Sequence, residues 1–225
     1  STRLVGGVVM THGDDSGLVI PPRLAPTQVV IIPILAGEET SGVLEKADEV
    51  LGRLKKLGVR AKIDSRDNLS PGAKYFEWER KGVPFRVEIG PKDLQNEQLA
   101  LVRRLTPQGE NRKAFLPETE AITKLPEKLE DFQDDLLQAA LTRRDDNTIR
   151  GVNSLGELKE AFDSGAGFVY TGWSGNPAVE ETVKEQLKAT IRVLPGEEFL
   201  SESPPRKCVS GDADSVTEVV WARAY

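Results

Sequence analysis

Arg3 is the first side chain in this sequence that could bind a phosphate group. Its guanidinium is always charged and presents a planar fork of donors that matches phosphate oxygens. The only histidine of the chain, His12, follows nine residues later, and Asp14 and Asp15 come shortly after it. Two adjacent aspartates could bind a metal ion, cap a helix or form a turn, and a lone histidine is more often structural than catalytic. Residue types alone therefore leave two alternatives, a phosphate site or an ordinary surface loop.

A second set of charged side chains lies in the middle of the chain. Residues 60–113 hold 12 Lys or Arg against eight Asp or Glu, whereas the whole chain has a net charge of -6. A basic segment inside an acidic protein could form an anion-binding face. The alternative is a solvated helix face with neighbouring ion pairs, formed by Glu77, Glu79, Arg80 and Lys81. Charge alone favours this alternative.

The elements that must position these groups can be predicted from the spacing of apolar residues. Strands are predicted at residues 4–10, 28–35, 59–64 and 84–89, with weaker candidates at 99–105 and 113–116. Helices are predicted at residues 38–57 and 70–82. Within the strand at 84–89, apolar residues alternate with Arg86 and Glu88, which share the other face. The order of strands and helices predicts an α/β layered domain with at least partly parallel pairing.

A second, smaller α/β unit is predicted near the end of the chain. A long amphipathic helix at residues 126–144 precedes it, and its own elements are predicted at 155–162, 167–170, 177–189 and 216–222. The single cysteine, Cys208, excludes an internal disulfide framework and is compatible with a reducing, cytoplasmic environment. The sequence has no run of 18 apolar residues and no signal-peptide pattern, so we expect no membrane span.

Residues 1–34 resemble the last signature motif of class II aminoacyl-tRNA synthetases, and specifically that of prolyl-tRNA synthetases. The resemblance rests on Ser-Thr-Arg-Leu-Val-Gly-Gly at the start and on His-Gly-Asp-Asp-Ser-Gly-Leu-Val-Ile-Pro-Pro from residue 12. It implies that Arg3 clamps the ATP phosphates and that His12 lies near the prolyl-adenylate, while Asp14 and Asp15 are structural. The family commonly has a basic residue where this chain has Ser16. Because this motif normally closes a catalytic domain, we expect the first half of the enzyme to be missing here.

The region from residue 28 to about 144 resembles the anticodon-binding domain of the prolyl, threonyl, histidyl and glycyl class II enzymes. The most specific match begins Pro-Gly-Ala-Lys-Tyr-Phe-Glu-Trp-Glu-Arg-Lys-Gly-Val-Pro-Phe-Arg and covers residues 71–94. Every proline anticodon carries two guanines. The Watson–Crick edge of guanine offers two donors to a carboxylate, and its O6 and N7 atoms accept hydrogen bonds from arginine or lysine.

By this resemblance, the guanines are read by three side chains, Glu79, Arg86 and Lys92. A fourth contact is assigned to either Arg112 or Lys113. Three aromatic residues lie in the same segment, and their spacing fits a buried stripe. We therefore predict that they are core residues rather than base-stacking platforms: Tyr75, Phe76 and Trp78.

The last residues, Val-Trp-Ala-Arg-Ala-Tyr, resemble the end of the extra C-terminal domain in archaeal and eukaryotic-like prolyl enzymes. This implies that Tyr225 is a neighbour of the active site; the alternative is a terminal strand with an aromatic plug. Many relatives bind zinc in this domain through four cysteines. Here only Cys208 remains, because Ser174, Val179 and Ser210 stand near the other expected positions. One thiol and a distant histidine cannot form a tetrahedral site, so we predict no zinc.

The resemblance implies three parts: the end of a catalytic domain at 1–27, an anticodon-binding domain at 28–148 and a C-terminal domain at 149–225. The intact enzyme would be a cytoplasmic homodimer that activates proline with ATP and Mg²⁺ and transfers it to proline tRNA. We expect this chain alone to bind tRNA without aminoacylating it. One alternative is a free-standing tRNA-binding protein derived from such an enzyme. Another is a related threonyl or glycyl enzyme, but the Gly-Asp-Asp loop and the Ala-Tyr end argue against it. A different small α/β enzyme lacks support, since no nucleotide glycine fingerprint or nucleophile elbow is present.

Overall fold

A computed structural model describes residues 1–35, 40–106 and 111–223, and the chain divides into two compact units, residues 1–140 and 141–225. The helices of the first unit are α1 (Arg3–His12), α2 (Thr40–Lys56), α3 (Pro71–Arg80), α4 (Pro91–Gln95), α5 (Glu118–Thr123) and α6 (Leu125–Asp146), which continues into the second unit. Its strands are β1 (Val29–Pro33), β2 (Ala61–Ile63), β3 (Phe85–Ile89), β4 (Gln98–Arg103) and β5 (Lys113–Pro117). Within these described ranges, no helix is both long and apolar enough to cross a membrane.

The five strands of the first unit form one mixed sheet in the order β2-β1-β3-β4-β5. Strands β2, β1 and β3 are parallel, whereas β4 and β5 are antiparallel to their neighbours. This arrangement confirms the predicted mixed α/β fold. The register places Arg86 of β3 opposite Val102 of β4, which in turn lies opposite Lys113 of β5. Side chains in one such row share a face of the sheet.

The main core lies on one face of this sheet, beneath α2, α5 and α6. The strand β3 contributes Phe85, Val87 and Ile89 to it, as the alternating pattern predicted. The ring of Phe132 in α6 meets that of Phe85 edge to face, with the centroids 6.0 Å apart. Burying a side chain of this size contributes about 1.5–3 kcal/mol to the free energy of unfolding. Burial of this face therefore fixes which side of β3 turns away from the core.

The opposite face of the sheet is covered over β1 by α3. This helix begins where Ser70 caps it, its hydroxyl accepting a hydrogen bond from the Ala73 amide at 3.3 Å, and Pro71 occupies the first turn. Tyr75 and Trp78 pack on a small cluster of Val30, Ile32 and Val83, as predicted for core residues. Beyond α3 the edge strand β5 remains exposed along most of its length.

The prediction that Phe76 belongs to the core is wrong. This side chain is 65% exposed, because the side of α3 that faces the sheet is formed by Lys74, Tyr75 and Trp78. Each residue of a helix is rotated by about 100° from the one before it, so Phe76 cannot share the inward direction of both neighbouring aromatic residues.

The prediction of a strand at residues 4–10 is also wrong, since this segment belongs to helix α1. A short apolar run without alternation is compatible with either element, and its length does not decide between them. None of the ten residues of α1 is buried within the described chain. Leu4, Val5 and Met10 are more than half exposed.

The second unit has its own sheet, in the order β6-β7-β9-β8. Its elements are β6 (Thr148–Val152), α7 (Leu155–Asp163), β7 (Phe168–Trp173), α8 (Pro177–Leu187), β8 (Ala189–Val193), one 3₁₀ turn (Glu197–Phe199) and β9 (Thr217–Arg223). The largest buried side chain is Trp221, whose indole N–H donates to the Thr171 hydroxyl at 2.8 Å. Leu158, Phe162 and Val183 of α7 and α8 pack in the same core.

Two loops of the first unit meet backbone to backbone, and glycines permit the contact. The Leu18 amide donates to the Arg80 carbonyl at 3.0 Å, and the Ile20 amide donates to the Gly82 carbonyl at 3.1 Å. Gly82 has a φ of +73°, and a Cβ atom built on it would lie 2.6 Å from the carbonyl group of Leu18. Both the conformation and the space therefore require glycine at this position.

We expect Gly82→Ala to lower the free energy of unfolding by about 1–3 kcal/mol, because it strains the backbone and forces the two loops apart. Urea unfolding measures this change. Gly52→Ala is the matched control, since Gly52 lies in α2 and a Cβ atom added to it would have nothing within 4 Å. The control is expected to be neutral or to stabilise by up to about 1 kcal/mol. Equal midpoints for the two variants would contradict the close approach of the loops.

Candidate functional site

Glu79 and Arg112 form an ion pair that links the end of α3 to the edge of the sheet. The Arg112 Nη2 atom lies 2.7 Å from the Glu79 carboxylate. The Arg112 Nε atom donates to the carbonyl of Arg103 at 3.0 Å, which fixes the direction of the guanidinium. Both side chains of the pair are partly exposed. Because exposed ion pairs contribute little free energy, exchanging one partner for a ligand costs little free energy.

A second group of charges is centred on Glu88. Its carboxylate accepts from Arg86 Nε at 2.9 Å and from Lys113 Nζ at 2.7 Å, although its side chain is only 3% exposed. The Arg86 guanidinium lies 4.1 Å from the centroid of the Tyr75 ring. Burial, together with the charge of Glu88, raises the pKa of Tyr75 to about 12. Arg86 is thus held between an aromatic ring and a buried carboxylate.

These two groups are neighbours, and we call them together the charged cluster: Glu79, Arg86, Glu88, Arg112 and Lys113. Three of its members, Glu79, Arg86 and Arg112, line one small cavity. The apolar walls of this cavity include Val30 and Val102. The charged cluster therefore places a carboxylate and two guanidinium groups around one point, at the border between α3 and the exposed part of the sheet.

Lys92 is placed elsewhere by the structure. It is an exposed residue of α4, which follows the carboxyl end of β3. The pair of Glu79 and Arg112 lies at the other end of β3, because α3 leads into that strand and Arg112 is hydrogen-bonded to Arg103, the partner of Phe85. Of the residues predicted to contact the anticodon, four are thus brought together and Lys92 stands apart.

Glu88 was not among the predicted site residues. Its signal is nevertheless present in the sequence, since Glu88 and Arg86 are two residues apart in an alternating strand and so share a face. Lys113 joins them only through the pairing of β4 and β5. Sequence spacing could identify the first contact of Glu88 but not the second.

Asp14 and Arg104 anchor the loop that follows α1 to the sheet. The Arg104 side chain is 2% exposed and donates to both carboxylate oxygens of Asp14, at 2.9 and 2.5 Å. Its Nε atom also donates to the carbonyls of Leu18 and Glu79, at 3.1 and 3.0 Å. The hydrogen bonds from Arg104 hold the pKa of Asp14 below its usual value. Asp14 is therefore engaged in structure, and the same arginine supports the backbone of Glu79.

The structure does not bring Arg3 and His12 together. They are the first and last residues of α1, so about 14 Å of helix axis separates them. Arg3 is exposed. Tyr225, the third residue assigned to the adenylate pocket, lies outside the described residues. Within the ranges 1–35, 40–106 and 111–223, no group of three or more His, Cys, Asp or Glu side chains is arranged to hold a metal ion.

Cys208 lies in the core of the second unit, beside the two serines that stand near expected cysteine positions. Burial raises the pKa of its thiol, but hydrogen bonds from Ser174 and Ser210 outweigh this effect and leave the pKa below its usual value. Val179 belongs to the same core cluster. By the resemblance, two serines and a valine stand near the positions where further ligands would be needed, and such a set does not fit the thiolate and imidazole ligands that zinc requires.

We therefore expect the purified chain to contain no stoichiometric zinc, and chelation to leave its unfolding midpoint unchanged. Structural zinc contributes folding free energy, so a chelator would lower the midpoint if a site existed. Elemental analysis combined with thermal unfolding, with and without chelator, makes the test. One zinc per chain would contradict this prediction.

Comparisons with known proteins agree with this architecture. Residues 28–131 match the family model described as an anticodon binding domain, and residues 155–225 match the one described as prolyl-tRNA synthetase, C-terminal. Proline–tRNA ligases from Clostridium novyi (strain NT) and Roseiflexus sp. (strain RS-1) are each 43% identical over 225 residues, which is 100% of this chain and 45% of theirs. The chain thus spans a little under half the length of these relatives.

A solved structure agrees in fold as well as in sequence. The prolyl-tRNA synthetase from Cryptosporidium parvum, complexed with L-proline and AMP, superimposes with a TM-score of 0.87 at 34% identity. The match covers 100% of this chain and 46% of that one. The resemblance found in the sequence is therefore confirmed, and this chain belongs to the prolyl-tRNA synthetase family.

Proposed function

We propose that this chain carries the anticodon-reading part of a proline–tRNA ligase. The observation that supports this most strongly is the charged cluster, which groups Glu79, Arg86 and Arg112 around one cavity in the region that matches an anticodon-binding domain. A carboxylate and two guanidinium groups at one point form the set that a guanine edge can satisfy. The net positive charge of residues 60–113 adds attraction for the phosphate backbone.

In this proposal, a guanine exchanges the ion pairs of the free protein for hydrogen bonds to its own edge. The carboxylate of Glu79 accepts from the two donors of the Watson–Crick edge, N1–H and N2–H. Arg112, released from Glu79, and Arg86 donate to the O6 and N7 acceptors of the two guanines. Glu88 stays in place and orients Arg86 and Lys113. Lys92 lies on α4, at the other end of β3, and contributes to binding of the loop from there.

For the whole enzyme, we propose that proline is activated with ATP and Mg²⁺ and transferred to proline tRNA, by a cytoplasmic homodimer. Residues 1–27 belong to the catalytic domain in this proposal, 28–148 to the anticodon-binding domain and 149–225 to the C-terminal domain. Arg3 binds phosphate, and His12 and Tyr225 lie near the adenylate. The exposed apolar side chains of α1 support a packing role for this helix in a larger domain. With Asp14 paired to Arg104, its carboxylate does not bind the metal ion.

The proposal is tested with RNA hairpins that carry the proline anticodon loop, either with its two guanines or with both replaced by adenine. We expect the 225-residue chain to prefer the guanine hairpin by at least about tenfold in Kd, since each bidentate contact to a base contributes about 1–3 kcal/mol. Fluorescence anisotropy over a series of salt concentrations measures both hairpins. Equal affinities at every salt concentration would refute guanine reading and leave only backbone attraction.

A further inference from the structure

Two exposed phenylalanine rings flank the charged cluster. Phe76 of α3 is 65% exposed, and Phe115 of β5 is 56% exposed. One exposed aromatic side chain is common on protein surfaces and needs no explanation. Two such rings on either side of one group of cations are less common, and unpaired bases characteristically stack on aromatic rings in positively charged grooves.

Phe76 lies on the rim of the open face of the sheet. It precedes Glu79 by three residues in α3, so the two side chains are neighbours along one side of the helix. Glu79 reaches from that side to Arg112 at the edge of the sheet. Tyr75 and Trp78 meanwhile pack inward on the sheet. The ring of Phe76 is therefore directed outward, one helical turn from the carboxylate that we propose reads guanine.

Phe115 lies on the floor of the same open face. Glu88 of β3, Ala100 of β4 and Phe115 of β5 are opposite one another in register, so their side chains share one face of the sheet. Two strand spacings of about 4.8 Å separate the β3 backbone from that of β5. The residue between them is a small alanine, and the Lys113 ammonium lies 5.1 Å from the centroid of the Phe115 ring. An exposed ring with a cation at its side is thus available beside the buried Glu88.

We propose that Phe76 and Phe115 are stacking platforms for unpaired bases of the anticodon loop, on the two sides of the charged cluster. This inference rests on the proposed function, because it assigns the loop as the ligand. Stacking is tolerant of sequence, since every base has a flat π face. The two rings therefore raise affinity for any unpaired loop, while the charged cluster selects guanine.

This division of labour can be tested with variants that keep apolar volume but remove the flat ring. Phe76→Leu and Phe115→Leu are each expected to raise Kd about 5- to 100-fold for the guanine and the adenine hairpin alike, leaving their ratio unchanged. Phe76→Trp and Phe115→Trp, which keep a flat ring, should bind within about threefold of the parent chain. Phe199→Leu is the control, because Phe199 is similarly exposed but belongs to the second unit.

The outcomes separate the inference from the function on which it rests. Leucine variants that bind both hairpins as tightly as the parent chain would overturn the stacking role, even if the guanine preference persists. Leucine and tryptophan variants that lose affinity equally would overturn it too, since a flat ring would not be what matters. If the parent chain shows no guanine preference but the leucine variants still weaken both hairpins, guanine reading fails while the stacking role stands.

Discussion

Replacing Arg86 by alanine is expected to raise Kd for the two-guanine hairpin about 5- to 150-fold, and to raise Kd for the adenine hairpin much less. The guanidinium of Arg86 is held against the ring of Tyr75 and is bonded to Glu88 at 2.9 Å, so its remaining donors have a defined direction. Adenine offers a donor where guanine offers O6, and it cannot accept the same pair of hydrogen bonds. The loss should therefore be selective for guanine, which anisotropy with both hairpins measures.

Arg86→Lys is the matched variant for this test. Lysine keeps the positive charge but lacks the planar fork, so we expect it to retain backbone attraction while losing most of the guanine preference. Because Arg86 also neutralises the buried carboxylate of Glu88, urea unfolding must show that each variant is folded at the assay temperature. Unchanged affinity of a folded Arg86→Ala chain for the guanine hairpin would remove Arg86 from the site.

The largest effect on stability is expected at Arg104. Arg104→Met should lower the free energy of unfolding by about 3–5 kcal/mol near neutral pH, because it removes the hydrogen bonds that a buried guanidinium donates to the carbonyls of Leu18 and Glu79 and leaves Asp14 without its cation. Urea unfolding measures the change. Arg80→Met, at the exposed end of α3, is the control and should change the free energy of unfolding by no more than about 0.5 kcal/mol.

The loss of unfolding free energy caused by Arg104→Met should depend on pH in a defined direction. The pKa of Asp14 is lowered in the folded chain from the usual value of 3.8, mainly through its hydrogen bonds with Arg104. A lowered folded-state pKa contributes stability that is present above the unfolded value and is lost as the pH falls through the folded one. The difference in the free energy of unfolding between the parent chain and the variant should therefore shrink below about pH 3.8. A difference that grows on acidification would contradict the role given to Asp14.

The sheet of the first unit could largely be predicted from the sequence because its strands carry a clear period. In β3 the apolar residues Phe85, Val87 and Ile89 alternate with charged ones, and burial of the apolar face permits only one orientation. The same pattern predicted that Arg86 and Glu88 share a side. What the pattern could not show is that α3 covers part of that side, so that Glu88 is buried rather than solvated.

Contacts between distant parts of the chain account for most of what could not be predicted. Arg104 meets Asp14 across 90 positions, and no local spacing signals such a pair. The choice between Arg112 and Lys113 as a further cation was open for the same reason, since both depend on how β5 pairs with β4. In the structure both belong to the charged cluster, whereas Lys92 does not.

Short apolar or aromatic segments were the other source of error. The run at residues 4–10 has no alternation and no consistent helical stripe, so its type could not be decided locally. In α3, three aromatic residues within four positions suggested one buried stripe. A helix can direct only part of such a set inward, and Phe76 is directed outward.

The most direct test of guanine reading is a double-mutant cycle between Glu79 and the base it is proposed to read. Inosine lacks the N2 amino donor of guanine and otherwise keeps its edge, so each anticodon guanine is replaced by inosine in turn and binding is measured with the parent chain and with Glu79→Ala. We expect inosine at one of the two positions to weaken binding to the parent chain about fivefold or more, and to have no effect on Glu79→Ala, because the acceptor is already gone. The same loss in both proteins, at both positions, would show that Glu79 does not contact the guanine edge.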